Sequence, residues 1–433
     1  MRSMCLLRRT LIMSLLFCVA GRVASAQGFV LSGSGAINRS MAGAGTAAPL
    51  DAIGALQWNP ASITALSSGR ADLAVETVFN RNEVGSTVGL DTPFEFGGNT
   101  SSDAGAAPLP AIGVILPNGD SNWAVGLGLN AVGGFSVNFP ADPTNPVLAP
   151  PAAGGFGPAY TRFSVLQIAP TLARKFESGW SIGIAPTINV AEAQASPFAF
   201  AAPNDANGDS TFTYASGVGT QPTWGLGVQG GIFYEGSGWS AGFSAKSPQW
   251  FQSFKINAGD ELGLPLPLKL DLTYPMILSW GLAAQVTEDL LVAVDVRYLD
   301  FAGTSLFGDP AAFAPDGRAL GLGWRSTVLT ALGVQYEVCD WCTLRAGYSY
   351  APNPVRDGAA MFSVQAPAVY EHLLSLGTTL RLSSRLSLSC AWVHAFEHTV
   401  TGPLITPAGA VPLSEVRVSQ VVDSVVMGLS YDF

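Results

Sequence analysis

The sequence predicts an all-β membrane protein, a 14-stranded antiparallel transmembrane β-barrel with an N-terminal plug in its lumen. Three observations carry that prediction. Of the 433 residues, 48% are hydrophobic and only 12% charged, against about 25% charged in ordinary soluble domains. This apolarity is spread thinly: no run of about 18 apolar residues follows the first thirty positions, which excludes helical spans. Short alternating segments are also joined, by turns, through short polar connections and long loops. A barrel strand shows lipid only every second side chain, so the three observations belong together.

In chain order, residues 1–26 read as a cleaved export signal. Arg2, Arg8 and Arg9 precede an apolar core, Leu11 to Ala20, that is too short to span, and Ala24-Ser25-Ala26 is a small-x-small cleavage site. Cleavage makes Gln27 the first mature residue; bulky Phe17 before Cys18 argues against a lipoprotein. Without the signal's four basic residues, 17 remain (21 less four) against 31 acidic, a net charge of −14. No basic stripe is left to replace phosphate counterions, so nucleic acid is not an expected partner.

Residues 27–69 are the expected hatch, rich in Gly and Ala, with neither a clean strand period nor a sustained helical stripe. The stretch contains the turn Asn59-Pro60-Ala61, where Asn can bond the backbone ahead and Pro fixes its own φ. A barrel lined with Ser, Gly and Thr would leak small solutes without such a plug.

Residues 70–433 are the expected barrel. In Trp180 to Val190 the even positions are Trp, Ile, Ile, Pro, Ile and Val, and the odd ones Ser, Gly, Ala, Thr and Asn. Six short turns lie near 117–122, 177–179, 235–238, 287–289, 339–341 and 383–385. Seven long connections alternate with them, around 83–107, 139–160, 195–221, 248–268, 302–324, 351–369 and 399–417. This parity implies an even strand number with both ends on the short-turn side, the pattern of bacterial outer-membrane barrels. Trp123, Trp180 and Trp239 follow short turns and Tyr336 precedes one, as an interfacial girdle requires. The last alternating segment, Val421 to Phe433, ends on a C-terminal Phe.

Cys339 and Cys342 flank a two-residue turn with no βαβ context and no second pair, so a local disulfide is expected in an oxidising compartment. His372, His394 and His398 are the only histidines. A Ser-His pair on the outer wall, or a metal held by His394, Glu397 and His398, would need neighbours the sequence does not supply. The reading is therefore no enzyme, no cofactor and no metal.

The start GSGAINRSMAGAGTAAPLDAIGALQWNPASI resembles the opening of the FadL/OmpP1/TodX family of outer-membrane transporters. So do ADLAVETVF after it, WSAGFSAKSPQWFQSF at 239–254, LTYPMILSWGLAAQVTEDLLVAVDVRYLDF at 272–301, CTLRAGYSYAPNPV at 342–355 and the terminal YDF. The resemblance covers nearly all of the mature chain and implies a monomeric barrel in a Gram-negative outer membrane. It also implies passive inward transport of hydrophobic compounds, most of all long-chain fatty acids, with monoaromatic hydrocarbons as the alternative. A general porin is the competing reading from another class.

Carried onto this sequence, the resemblance puts Gly28 and Phe29 beside an internal ligand pocket. It implies an opening in the wall where the third strand kinks, and Gly133-Gly134-Phe135 is the candidate, although paired glycines can also simply face the lumen. An extracellular groove would be lined by Phe198, Phe200, Trp250, Phe251 and Phe254, which could equally pack on one another. Arg345, Arg381 and Arg162 are the candidate partners of a ligand carboxylate.

Overall fold

In the computed structural model residues 28–117 and 122–433 are described; the export signal, its cleavage site and Gln27 lie outside the described residues. The alternating segments become β1 (Arg70–Val88), β2 (Ala106–Pro117), β3 (Trp123–Phe139), β4 (Ala159–Lys175), β5 (Trp180–Ser196), β6 (Thr223–Glu235) and β7 (Trp239–Lys246). The series continues with β8 (Met276–Thr287), β9 (Leu290–Asp300), β10 (Thr327–Cys339), β11 (Cys342–Tyr350), β12 (His372–Arg381), β13 (Leu386–Gly402) and β14 (Ser414–Asp432). Each pairs antiparallel with the next, and β14 pairs with β1 from Arg70↔Asp432 to Val88↔Ser414. The sheet is thus a closed barrel of 14 strands.

Burial follows the alternation. On β5, Ser181, Ala185, Thr187 and Asn189 are buried, whereas Ile182 and Ile184 on the outside are 50% and 54% exposed. Trp123, Trp180, Trp239 and Tyr336 are all exposed at the short-turn end. Several strands outrun the apolar pattern. β1 reaches Val88 and β14 begins at Ser414, so the last loop is only 403–413 and residues 96–101 form an extra strand against β1. Backbone pairing needs no apolar face, so a ladder continues after hydrophobic alternation has stopped.

The Gly/Ala stretch folds as α1 (Ala36–Ser40), α2 (Ala52–Trp58) and a 3-10 turn, Pro60–Ala65. The Asp51 side chain caps α2 by accepting from Gly54 N at 2.9 Å, while Asp72 on β1 accepts from Ala52 N at 2.6 Å. Asn59 accepts from Ala61 N at 3.1 Å, and its Nδ2 donates to Thr46 O and to Ile232 O of β6, each at 3.0 Å. The turn therefore caps its own 3-10 helix and ties the segment to the wall.

Two ion pairs hold the other side. Asp295 on β9 accepts from Gly45 N at 2.9 Å, Thr46 N at 3.0 Å and Thr46 Oγ1 at 2.8 Å. Arg297 donates to Asp295 at 2.6 Å, to Ser32 O at 2.7 Å and to Gly43 O, with its guanidinium 3.4 Å from the centre of the Trp58 ring. Arg39 of α1 donates to Glu76 of β1 at 2.6 Å.

Inward glycines let the segment's backbone touch the wall. A Cβ at Gly113 would sit 2.7 Å from Ile53 N, at Gly183 2.5 Å from Ala61 N, and at Gly281 2.8 Å from Ala47 N. At Gly347 it would strike the Met41–Ala42 peptide. Gly347→Val is therefore expected to give a barrel that assembles, since its outer ladder is untouched, but in which residues 40–43 are displaced. Planar-bilayer conductance should rise well above wild type; a variant as tightly sealed as wild type would refute the fit.

Candidate functional site

Phe29 is 3% exposed and ringed by aromatic side chains. Its ring centre lies 4.5 Å from Phe307, 5.4 Å from Phe163, 5.5 Å from Tyr274, 5.6 Å from Phe301, 6.0 Å from Trp324 and 6.3 Å from Phe135. Gly28 has φ +68, and a Cβ there would run into the Phe301 ring. Only glycine suits both the backbone and the space.

Phe135, Phe163 and Phe307 also line a cavity toward the long-loop end. Its other walls come from β4 and β5, through Thr161 and Ala193 among others, and from the loops, including Phe198, Phe200 and Phe362. Arg162 is the one charged residue along it, and its side chain is exposed on the outward-facing parity of β4. Inside, the cavity presents mostly hydrocarbon and aromatic faces, with the buried Thr161 hydroxyl among them.

Below Phe29 the wall changes. β2 pairs with β3 only from Ala111↔Asn130 to Pro117↔Ala124. Beyond that, β3 has a bulge between Ala131 and Gly133, and its free edge is met by the N-terminal segment. Val30 bridges to Gly133, Leu31 N donates to Val132 O at 3.3 Å, and Gly134 N donates to Phe29 O at 3.2 Å. Tyr274 Oη donates to Val132 O at 3.0 Å. A small cleft lies here, between Leu31 and Ser34 on the inside and Leu109, Pro110 and Ala131 of the wall.

The structure thus brings together Gly28, Phe29, Gly133, Gly134, Phe135, Phe198 and Phe200. Asn59, Pro60 and Ala61 lie apart from them, against Gly183 and Gly231. Phe254 is buried and its ring lies tilted against Phe251 with centres 5.6 Å apart, neither lining the cavity. Trp250 pairs with Leu226 in the outward row of the wall and is 58% exposed there, outside any groove with Phe198.

Arg345 faces inward but is engaged, donating to Gln335 Oε1 at 2.7 Å and Thr379 Oγ1 at 2.6 Å. Arg381 is exposed at the last position of β12, beside a short turn. Cys339 and Cys342 pair across their turn but are free, with Cys342 Sγ turned toward Thr378 Oγ1 at 3.9 Å. The expected bond is not formed, because one sulfur points to the next strand. His394 Nδ1 lies 2.8 Å from Asp423 Oδ1 on the outer wall.

Phe301, Phe307 and Trp324 come from the fifth long loop, which reasoning from sequence left unassigned. Their only signal was aromatic density within 301–324. Lys246 was also missed: it is buried in the lumen, donating to Gln167 Oε1 at 3.0 Å.

A closed 14-stranded barrel with a packed lumen, an apolar cavity and a gap in its wall defines a class, the plugged outer-membrane channels. The family model described as outer membrane protein transport protein (OMPP1/FadL/TodX) matches residues 17–433, and the chain belongs to that family. It is thus an outer-membrane transporter of hydrophobic compounds. Among solved structures it is similar to a Pseudomonas aeruginosa FadL homologue, with TM-score 0.69 and 16% identity over 94% of this chain and 100% of that one. The P. putida toluene transporter TodX gives TM-score 0.66 and 17% identity over 93% and 99%. The Ralstonia pickettii toluene transporter TbuX gives 0.64 and 16% over 93% and 99%. A search of curated proteins found no match.

Phe29→Ala removes the ring at the centre of the cage and should cost about 3–5 kcal/mol of packing. The barrel should still assemble, with loss of heat-resistant gel mobility at a lower temperature than wild type. An unchanged transition would mean that the cage is not a packed unit.

Proposed function

We propose that the protein takes up hydrophobic compounds passively: a ligand enters the apolar cavity, reaches Phe29 and leaves sideways between β2 and β3 into the bilayer. Residues 28–66 act as the hatch that closes the lumen to water-soluble solutes. The observation that carries this reading is one residue's position. Phe29 packs behind Phe135, Phe163 and Phe307, which line the cavity, and its backbone covers the free edge of β3. No energy source is needed, since a ligand hiding about 250 Å² of apolar area gains ~6 kcal/mol over water before association costs.

The cavity favours a neutral ligand, aromatic or aliphatic, because no charged side chain points into it and an unpaired carboxylate buried there would be strongly penalised. The names of the toluene transporters above accord with that choice. One observation favours long-chain fatty acids instead: Arg162 stands along the cavity, where it could hold a carboxylate while the chain lies within. Titration of purified protein with toluene and with oleate separates the two. Toluene binding that Arg162→Ala leaves unchanged supports the neutral ligand; oleate binding that the same change weakens about tenfold supports the acid. A ligand that copurifies, identified by mass spectrometry, gives independent evidence.

Gly133→Val tests the side exit. Its Cβ would meet the Phe29 ring and carbonyl, each at 3.0 Å. Uptake should fall at least fivefold with barrel assembly unchanged, and undiminished uptake would overturn the exit at this position.

A further inference from the structure

We infer that Pro108 and Pro110 are positioning residues that hold the side opening apart, by denying β3 the N–H donors it would need to zip onto β2. The argument starts from the ladder with β1, which runs without a register break from Arg70↔Ile115 to Phe79↔Ala106. Proline has no N–H to give to a ladder. In an antiparallel strand the N–H and C=O of one residue point to one side and those of the next to the other. Had the even residues of β2 faced β1, both prolines would have broken that ladder. The donors toward β1 are therefore Ala107, Leu109 and Ala111, and the even residues, the two prolines among them, face β3.

The end of the β2–β3 ladder follows. Its last pair is Ala111↔Asn130, served by Ile112 N–H and by the carbonyl of Pro110. The next pairs in the same register, Pro110↔Ala131 and Pro108↔Gly133, would call on proline donors. Pairing stops where the first missing N–H is required. Both proline rings are exposed on the outer face, where valine or threonine would serve a strand better. The hatch residues Phe29 to Leu31 take the edge that β2 leaves free.

This inference rests on the side-exit reading for its functional meaning, and the experiment separates the two. Leu109→Cys and Val132→Cys would face each other if the register continued, so a disulfide between them reports zipping. With Pro108→Val and Pro110→Val added, oxidation should link this pair at least fivefold more than with both prolines present, as counted by mass spectrometry of the linked peptides. A yield unchanged by the valines overturns the role of the prolines. Uptake is read in the valine variant without the cysteines. If the link forms there and uptake still matches wild type, the prolines keep their role and the side exit fails. Ile112→Pro is the converse variant, expected to shorten the ladder and raise hydrogen exchange at the Leu129 and Ala131 amides about tenfold. No rise there counts against the proposal even if the valine variant assembles poorly.

Discussion

Everything in this barrel depends on fitting a second backbone against the inner wall. A segment in the lumen brings N–H and C=O groups where little water reaches them, and each needs a partner. The wall supplies side-chain partners, Asp72, Asp295 and Arg297, and glycines such as Gly113, Gly183 and Gly281 at which the backbones come within van der Waals range. The glycine content that looks like looseness in the sequence is a matching surface. It also explains why α2 can be short: Ala52 N donates to Asp72, and Gln229 Nε2 of β6 donates to Gln57 O and Trp58 O.

Charge is distributed by the same logic. The luminal ion pairs Arg39–Glu76 and Arg297–Asp295 hold the N-terminal segment. Breaking such a buried pair from one side leaves an uncompensated charge and costs about 3–5 kcal/mol. The cavity above them has no inward charge among the described residues, and rings and aliphatic groups make up most of its lining. The anchoring of the N-terminal segment and the apolar cavity thus lie at different heights of the same lumen.

Barrel architecture was legible because each of its signals is local. The parity of loop lengths, the two-residue period of β5 and the tryptophans after short turns need no knowledge of distant contacts. Other readings failed where orientation mattered. Trp250 belongs to an apolar-looking loop in the sequence but continues the wall after β7, so it faces outward. Arg381 has the strand parity of a luminal residue but stands at the strand's end, beside a short turn. Lys246 gives no local sign of burial, because its partner Gln167 is three strands away.

By itself the sequence determined the closed antiparallel barrel with both of its ends on the short-turn side. Period, charge scarcity and loop parity are properties of neighbours along the chain. Only the tertiary structure decided that Phe29 meets six aromatic rings drawn from the wall, the fourth long loop and the fifth. Only it showed the β2–β3 ladder ending at Ala111. Both depend on which strands become neighbours on closure, and a ladder can end for want of a donor on an edge that no linear pattern assigns.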